Sequence, residues 1–380
     1  MMRKRSSHSS SDQEERALKI ETIEVEHYSV PARLFAVNEV TDTTHAIPSL
    51  EIVFAKLRTD RGTEGIGYTY TTGHNARTVK QMIEEEIIPV YVGNPIRQYD
   101  ALWNRCWWNT HWAGRGGVST LAMAAVDIAV WDAMAKGADL PLYRFIGEHR
   151  NGIPAYGSGV NLSYTLEELL AETQEHMHCG FPGVKIKVGK EDPEEDFERL
   201  SAVRKLIGPK KKIMVDANMG WTLQEAVTRT RSLKDIGITW IEEPFIPEDI
   251  DAHERLGSIS GVPIAAGENL YSKYQFNDYF KKQAIQFVQA DVVRCGGITE
   301  WLKIARLAET YNLPMAPHFV VDLHVSLLCA VPNAYIAEYL PWFHPVQRNP
   351  IRTRDGVLRP KELAGHGIEF DWELLAAYRV

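Results

Sequence analysis

The stretch Val184-Lys185-Ile186-Lys187-Val188 decides the fold class, because it places two lysines two residues apart inside an apolar run. Alternation with a period of two is typical of a β-strand and puts Lys185 and Lys187 on the same face. Two inward-facing ammonium groups are costly to bury unless anionic groups pair with them. The stretch therefore predicts a strand whose end faces an acid-rich site.

Acids that could pair with these lysines follow at the ends of the next three apolar segments. They are Asp216, Glu242 and Glu268, and 26 residues separate each acid from the next. One β/α unit fits this interval, so the three carboxylates would converge from adjacent parallel strands. Three hard oxygen ligands with room for water and substrate suit Mg²⁺. Any one of these acids alone could be a helix N-cap or a solvated strand end, but three in register favour a metal site.

A regular alternation of apolar strands and amphipathic helices begins near Pro154. We predict eight strands, at residues 154–158, 184–188, 212–216, 238–242, 263–267, 286–291, 314–318 and 334–338. Eight strands separated by helices favour parallel pairing and closure into a β/α barrel, so the fold class is α/β. In such barrels the catalytic groups lie at the carboxyl ends of the strands, where this chain repeatedly places polar residues.

The chain before this alternation has a different sequence pattern. Short apolar groups predict antiparallel strands, and residues 76–92 and 118–136 have helical patterns, which together indicate an α+β domain. We assign residues 1–17 to a disordered tail, 18–145 to the N-terminal α+β domain, 146–345 to the barrel, and 346–380 to a tail that returns to the N-terminal domain.

Composition excludes several classes of protein. The 380 residues are 44% hydrophobic and 24% charged, as in ordinary globular proteins, and the formal net charge of −8 gives no electrostatic case for a nucleic-acid partner. No uninterrupted apolar run reaches the roughly 18 residues of a membrane span. The four cysteines form no CxxC pair, so neither a disulfide framework nor a zinc site is indicated. We expect a cytoplasmic protein without a secretory signal.

Candidate acid/base groups come from four of the predicted strand ends. Lys187 is the candidate base, because a divalent cation and a second ammonium group would lower its pKa, and Lys185 would hold a substrate oxygen. His318 ends the seventh predicted strand and Asp291 the sixth, which allows a His–Asp dyad. Glu338 ends the eighth and, if protonated, could donate a hydrogen bond to a developing oxyanion. Surface lysines, a structural histidine and an ordinary charged strand end are the alternatives.

Together these groups suggest a reaction on a small-molecule carboxylate. A lysine from the second strand and a histidine from the seventh would approach the barrel axis from opposite sides. A metal ion that binds the carboxylate would neutralise the enediolate formed when the α-proton leaves, and such Lewis-acid stabilisation is worth several kcal/mol.

From about Leu18 onward the chain resembles the enolase superfamily and, within it, the mandelate racemase subgroup. The resemblance rests on a set of short motifs: Lys185-Ile186-Lys187, Val215-Asp216-Ala217-Asn218, Ile241-Glu242-Glu243-Pro244, Gly267-Glu268-Asn269, Asp291 before Gly296-Gly297, His318 and Glu338. It implies a modified TIM barrel, (β/α)7β, with the N-terminal domain as a capping domain. Enolase-superfamily sites use a Lys or His base with Mg²⁺.

The resemblance also implies roles for individual residues. Asp216, Glu242 and Glu268 would bind Mg²⁺, and Lys187 and His318 would be the two acid/base groups with Asp291 behind His318. Substrate contacts would come from Lys185, Asn218 and Glu338. A homo-oligomer is also implied.

Two related branches of the superfamily fit less well. The muconate-lactonising branch carries a lysine on the sixth strand, whereas this chain has Asp291 there, followed by Arg294. Enolase itself lacks the His–Asp dyad. The sequence therefore favours the mandelate racemase subgroup.

Two reactions share this machinery. Return of a proton to the same carbon gives a racemase or epimerase of a 2-hydroxy acid, and protonation of a departing β-hydroxyl gives a dehydratase of an aldonic or aldaric acid. The resemblance favours dehydration. Polar residues in predicted loops, Arg33, Asn38, His45 and Arg115, give weak support for a dicarboxylate such as galactarate or talarate, although ordinary loop polarity explains them equally well.

Overall fold

The structure is a computed structural model that describes residues 18–36 and 40–380. The predicted disordered tail at residues 1–17 and the predicted rim residue Asn38 lie outside the described residues.

The N-terminal domain is built on an antiparallel three-stranded sheet in the order β1-β2-β3. Its strands are β1 (Ile20–Pro31), β2 (Ser49–Thr59) and β3 (Glu64–Thr72). Its helices are α1 (Ala76–Met82), α2 (Ile88–Tyr91), α3 (Tyr99–Asn109), α4 (Val118–Gly137) and α5 (Leu142–Ile146), and a π-helical segment at Ile83–Ile87 joins α1 to α2. This is the α+β capping domain.

Helix α4 is the core of the capping domain. It packs closely on β3 because Gly67 has no side chain, and a Cβ atom there would lie 1.9 Å from the carbonyl oxygen of Ala125. Among the described helices, α4 is the one long and apolar enough to cross a membrane. However, 83% of its most apolar 18-residue stretch is buried inside the protein. Its apolar composition is therefore explained by its place in the core.

The second domain is a parallel barrel in the strand order β10-β4-β5-β6-β7-β8-β9. The strands are β4 (Ile153–Ser158), β5 (Gly183–Lys187), β6 (Lys212–Asp216), β7 (Ile238–Glu242), β8 (Ile264–Ala266), β9 (Phe287–Val288) and β10 (Ala337–Tyr339). Parallel pairing of β10 with β4 closes one side. A layer of buried side chains that includes Tyr156, Met214 and Trp240 fills the interior. The fold is thus a modified TIM barrel under a capping domain.

The predicted seventh strand at residues 314–318 is not a regular strand. Only Met315 pairs there, through single bridges to Val288 and Ala334. Pro314 and Pro317 flank this position, and proline has no N–H to donate to a ladder. The segment still occupies the seventh position of the barrel, so His318 remains at the barrel mouth.

Helices cover the barrel strands from outside. They are α6 (Leu166–His178), α7 (Pro193–Ile207), α8 (Leu223–Leu233), α9 (Ile250–Ser260), α10 (Lys273–Lys281), α11 (Ile298–Thr310) and α12 (Val321–Cys329). Capping boxes fix the starts of two of them, because Thr165 pairs with Glu168 and Thr222 pairs with Glu225.

The C-terminal segment contains β11 (Val357–Leu358), which pairs with β4, and α13 (Trp372–Ala376). Its last residues lie on the capping sheet: the Ser29 N–H donates to the Tyr378 carbonyl oxygen over 2.8 Å. The segment therefore ties the barrel to the capping domain.

Candidate active site

A cavity of about 880 Å³, including its open mouth, lies where the barrel strand ends face the capping domain. Six of the nine predicted site residues line it: Lys185, Lys187, Asn218, Glu268, His318 and Glu338. The other three, Asp216, Glu242 and Asp291, are fully buried and bond to residues that line it. All nine predicted site residues therefore meet at one place.

The two lysines of β5 are bound by acids of the neighbouring strands. Lys185 Nζ lies 2.6 Å from Glu242 Oε1 and 2.7 Å from Glu338 Oε1. Lys187 Nζ lies 2.7 Å from Asp216 Oδ2 and donates to Asn218 Oδ1 over 2.7 Å. These contacts supply the pairing that buried ammonium groups require.

The protein groups raise the pKa of Lys187, whereas the sequence led us to expect a lowered one. Burial lowers this pKa and so does Lys185, but the Asp216 carboxylate, with Glu268 and Glu242, raises it by more. The expected lowering therefore needs a divalent cation to neutralise those acids.

Asp216, Glu242 and Glu268 form the candidate metal centre. Each offers a carboxylate oxygen, and these oxygens lie within 4.8 Å of one another. Burial raises the pKa of Glu242 to about 8, aided by nearby Asp216. Three hard oxygen donors that repel one another at this spacing fit a small divalent cation such as Mg²⁺.

His318 and Asp291 form the predicted dyad. His318 Nδ1 lies 2.9 Å from Asp291 Oδ2, and His318 Nε2 lies 3.3 Å from Glu268 Oε2. Burial lowers the pKa of His318, but Glu268 and the hydrogen bond to Asp291 outweigh burial and raise it to about 9. The Val293 N–H donates to Asp291 Oδ1 over 2.9 Å, which fixes the carboxylate.

Glu338 is held as a carboxylate, contrary to the protonated form that we considered from the sequence. Burial raises its pKa, but Lys185 and His318 lower it to about 2. It also accepts hydrogen bonds of 2.7 Å from the Ser158 hydroxyl and from the Phe319 N–H. Its role is therefore that of an acceptor that positions Lys185.

Backbone strain clusters at the strand ends. Five non-glycine residues there have positive φ: Asn218 (40°), Met219 (61°), Glu243 (36°), Phe319 (52°) and Val320 (26°). Such conformations cost about 1–3 kcal/mol each and persist where the surrounding structure enforces them, often at functional sites.

No role was predicted from the sequence for several residues that hold the site together. Ser158 ends the first barrel strand, so its register could have revealed it. Gln289 donates to Glu242 Oε2 over 2.6 Å from beyond β9. Asn269 donates to both Glu243 oxygens, at 2.8 and 3.1 Å, and accepts from Arg294 over 2.5 Å, which links the ends of β7, β8 and β9. No sequence pattern indicates these side-chain pairs.

The predicted cationic rim is only partly present. His45 lines the cavity, whereas Arg33 and Arg115 do not. Arg115 instead stacks on the rings of Trp107 and Trp108, with its guanidinium carbon 4.9 and 4.6 Å from their centroids. Two of the cationic residues on which the dicarboxylate hypothesis rested therefore do not line the cavity.

Two family models match most of the chain. The model described as "Mandelate racemase / muconate lactonizing enzyme, N-terminal domain" matches residues 28–147, and the model "Enolase C-terminal domain-like" matches residues 168–374.

Two curated relatives are similar over most of their length. A 3,6-anhydro-alpha-L-galactonate cycloisomerase from Streptomyces coelicolor is 34% identical over 95% of this chain and 99% of its own. An L-talarate/galactarate dehydratase from Salmonella typhimurium is 33% identical over 83% of this chain and 80% of its own.

Solved structures agree with this fold. A Streptomyces coelicolor protein described as a racemase with bound magnesium superposes with a TM-score of 0.91 at 34% identity, over 95% of this chain and all of that one. An L-talarate dehydratase from a Polaromonas species, complexed with Mg and L-glucarate, gives a TM-score of 0.87 at 31% identity, over 96% of this chain and 98% of that one. Mg²⁺ is thus the cofactor that both the acid cluster and its structural neighbours indicate.

Proposed function

Because the chain belongs to the mandelate racemase / muconate lactonizing enzyme family of the enolase superfamily, we propose that it is a Mg²⁺-dependent dehydratase of an acid sugar. The observation that carries this proposal is the convergence of Lys187, His318 and a three-carboxylate cluster on one capped cavity. Dehydratases of acid sugars among the relatives support the same reaction class.

Lys187 is proposed to take the α-proton of the substrate. Its Nζ is held by Asp216 and Asn218, so the lone pair of the neutral amine is directed by two fixed hydrogen-bond partners. Asp216, Glu242 and Glu268 would hold Mg²⁺, which when bound supplies Lewis-acid stabilisation of the charge that develops on the substrate carboxylate. Lys185 would contact a carboxylate oxygen from the same strand face.

His318 is proposed to deliver a proton to the leaving β-hydroxyl. As the C3–O bond breaks, this proton converts the departing group to water, and the remaining enol rearranges to a 2-keto-3-deoxy acid. The Asp291 carboxylate, 2.9 Å from His318 Nδ1, stabilises the imidazolium form that carries this proton. The capping domain over the cavity would limit access of bulk water.

A panel of aldonic and aldaric acids tests the proposal. With Mg²⁺ present, at least one acid should give a 2-keto-3-deoxy product, and chelation with EDTA should abolish turnover. Lys187→Ala and His318→Asn should each abolish net turnover, while the exposed-residue controls Lys205→Ala and His178→Asn should keep it. A panel without any dehydrated member, or normal rates in both site variants, would refute the assignment.

A racemase or epimerase is the second candidate, because two acid/base groups line the cavity and a structural neighbour is described as a racemase. It predicts solvent deuterium at C2 of a stereoisomerised substrate and no loss of water. Proton NMR in heavy water, run on the same panel, distinguishes the two reactions. We further propose that the enzyme works in the cytoplasm as a homo-oligomer.

A further inference from the structure

We propose that the rim of the cavity selects acid sugars whose distal end is a neutral hydroxyl, the aldonates, over dicarboxylates, and that Asp42 is the specificity-determining residue. This inference rests on the proposed function, because it assumes that the reacting carboxylate binds on the barrel floor among Lys185, Lys187 and the acid cluster. The distal end of the substrate then faces the capping domain.

The loop that carries Asp42 is fastened to the barrel. The hydroxyl of Thr43 donates to the carbonyl oxygens of Ala217 and Asn218, over 3.0 and 2.7 Å. These carbonyls directly follow β6, beside the proposed base. Because Thr43 is anchored there, its neighbours Asp42 and Thr44 both line the cavity.

The carboxylate of Asp42 is itself held in place. Its Oδ1 accepts hydrogen bonds from the Thr44 N–H, the Thr44 hydroxyl and the His45 N–H, at 2.7, 2.6 and 3.1 Å. The side chain is only 11% exposed, and these three hydrogen bonds hold its carboxylate in place. A fixed carboxylate repels a substrate carboxylate but readily accepts a hydrogen bond from a hydroxyl.

The hydrogen-bond pattern around His45 extends this hydroxyl-compatible surface. The single proton of the Thr44 hydroxyl goes to Asp42, so His45 Nδ1, 2.7 Å from that oxygen, must be the donor. In the neutral ring Nε2 then accepts from the Thr72 hydroxyl over 2.9 Å. Thr44, His45 and Thr72 all line the cavity and offer groups suited to a polyol.

Among the described residues that line the cavity, the two lysines are paired with acids, whereas the arginine is held by neutral partners. Lys185 and Lys187 are bound to acids at the barrel floor. Arg294 donates to Asn269 Oδ1 over 2.5 Å and is surrounded by Tyr271, Glu268 and Asp291. The loop that carries Asp42, at residues 40–48, contains no arginine or lysine, so at this loop a distal carboxylate would meet the Asp42 anion without such a cation beside it. The relatives do not decide the matter, since a 3,6-anhydro-alpha-L-galactonate cycloisomerase and an L-talarate/galactarate dehydratase are 34% and 33% identical to this chain.

Paired substrates test this inference. Each pair shares its stereocentres and differs at C6, as in gluconate against glucarate and galactonate against galactarate. We expect kcat/KM for the aldonate to exceed that for the aldarate at least tenfold. Asp42→Asn, whose amide oxygen can still accept the three hydrogen bonds, should shrink this ratio at least fivefold, mainly by lowering KM for the aldarate. The control Asp60→Asn, in the exposed β2–β3 turn, should leave it unchanged.

Binding separates this inference from the proposed function. The Mg²⁺-loaded Lys187→Ala protein should bind the aldonate of each pair more tightly by calorimetry, whether or not the native enzyme turns either acid over. A missing 2-keto-3-deoxy product with this binding preference intact would refute dehydration alone. Equal or tighter binding of aldarates, or a ratio unaffected by Asp42→Asn, would overturn the role of Asp42.

Discussion

Replacing Asp291 by Asn isolates the contribution of the dyad carboxylate. The amide oxygen can keep the hydrogen bond from the Val293 N–H, while the amide NH2 replaces the charge that faces His318 Nδ1 at 2.9 Å. Loss of a charge-assisted hydrogen bond in a fully buried place costs about 1.5–3 kcal/mol. Because His318 delivers its proton from the imidazolium form, kcat should fall about 10- to 150-fold in an assay above pH 9, where the population of that form limits the rate. KM should change little, because Asp291 acts through His318.

A double-mutant cycle tests whether Asp291 acts through His318. Residues that act as a unit are non-additive, so any residual rate that His318→Asn keeps should not fall further when Asp291→Asn is added. The assay is steady-state formation of the 2-keto-3-deoxy acid with Mg²⁺ present, and circular dichroism should show unchanged folding. A fall in kcat of less than about threefold in Asp291→Asn, or a multiplicative loss in the double variant, would refute the dyad.

Two further predictions concern stability. Gly297→Ala should lower the free energy of unfolding by about 2–4 kcal/mol, because a Cβ at this φ of +97° would lie 2.5 Å from Asp127 Oδ2. Urea melts measure this loss. The control is Gly261→Ala, because nothing lies within 4 Å of a Cβ at that position. Burial lowers the pKa of His324 to about 4, so between pH 6.5 and 4 the unfolded chain binds a proton that the folded chain does not. Acidification over this pH range should therefore lower the free energy of unfolding by up to about 3 kcal/mol. His324→Gln should flatten this dependence in urea melts at pH 7 and 4.5, and an unchanged slope would contradict the assignment.

The barrel was predictable because its signals are local and repeat. Strand alternation placed Lys185 and Lys187 on one face, and the equal spacing of Asp216, Glu242 and Glu268 indicated one β/α unit between each pair. Parallel strands bring their carboxyl ends to the same edge, so order along the chain translates directly into convergence in space.

The remaining features depend on tertiary contacts that no local pattern encodes. The seventh strand was overpredicted because its apolar residues resemble a strand, whereas its prolines remove the donors that a ladder needs. The ionised state of Glu338 follows from Lys185 and His318, which other parts of the barrel bring to it. The hydrogen bond from the Thr43 hydroxyl to the Asn218 carbonyl oxygen joins residues 175 positions apart. The polar composition of the loop could not distinguish such a bond from ordinary surface polarity.

Binding of Mn²⁺ as a spectroscopic substitute for Mg²⁺ tests most directly whether Asp216, Glu242 and Glu268 form a single ion site. Electron paramagnetic resonance titration should find one Mn²⁺ per chain in the native protein, and this binding should be weakened at least tenfold by Asp216→Asn, Glu242→Gln or Glu268→Gln, but not by the exposed control Glu248→Gln. Undiminished binding in all three site variants would show that the three carboxylates do not share an ion.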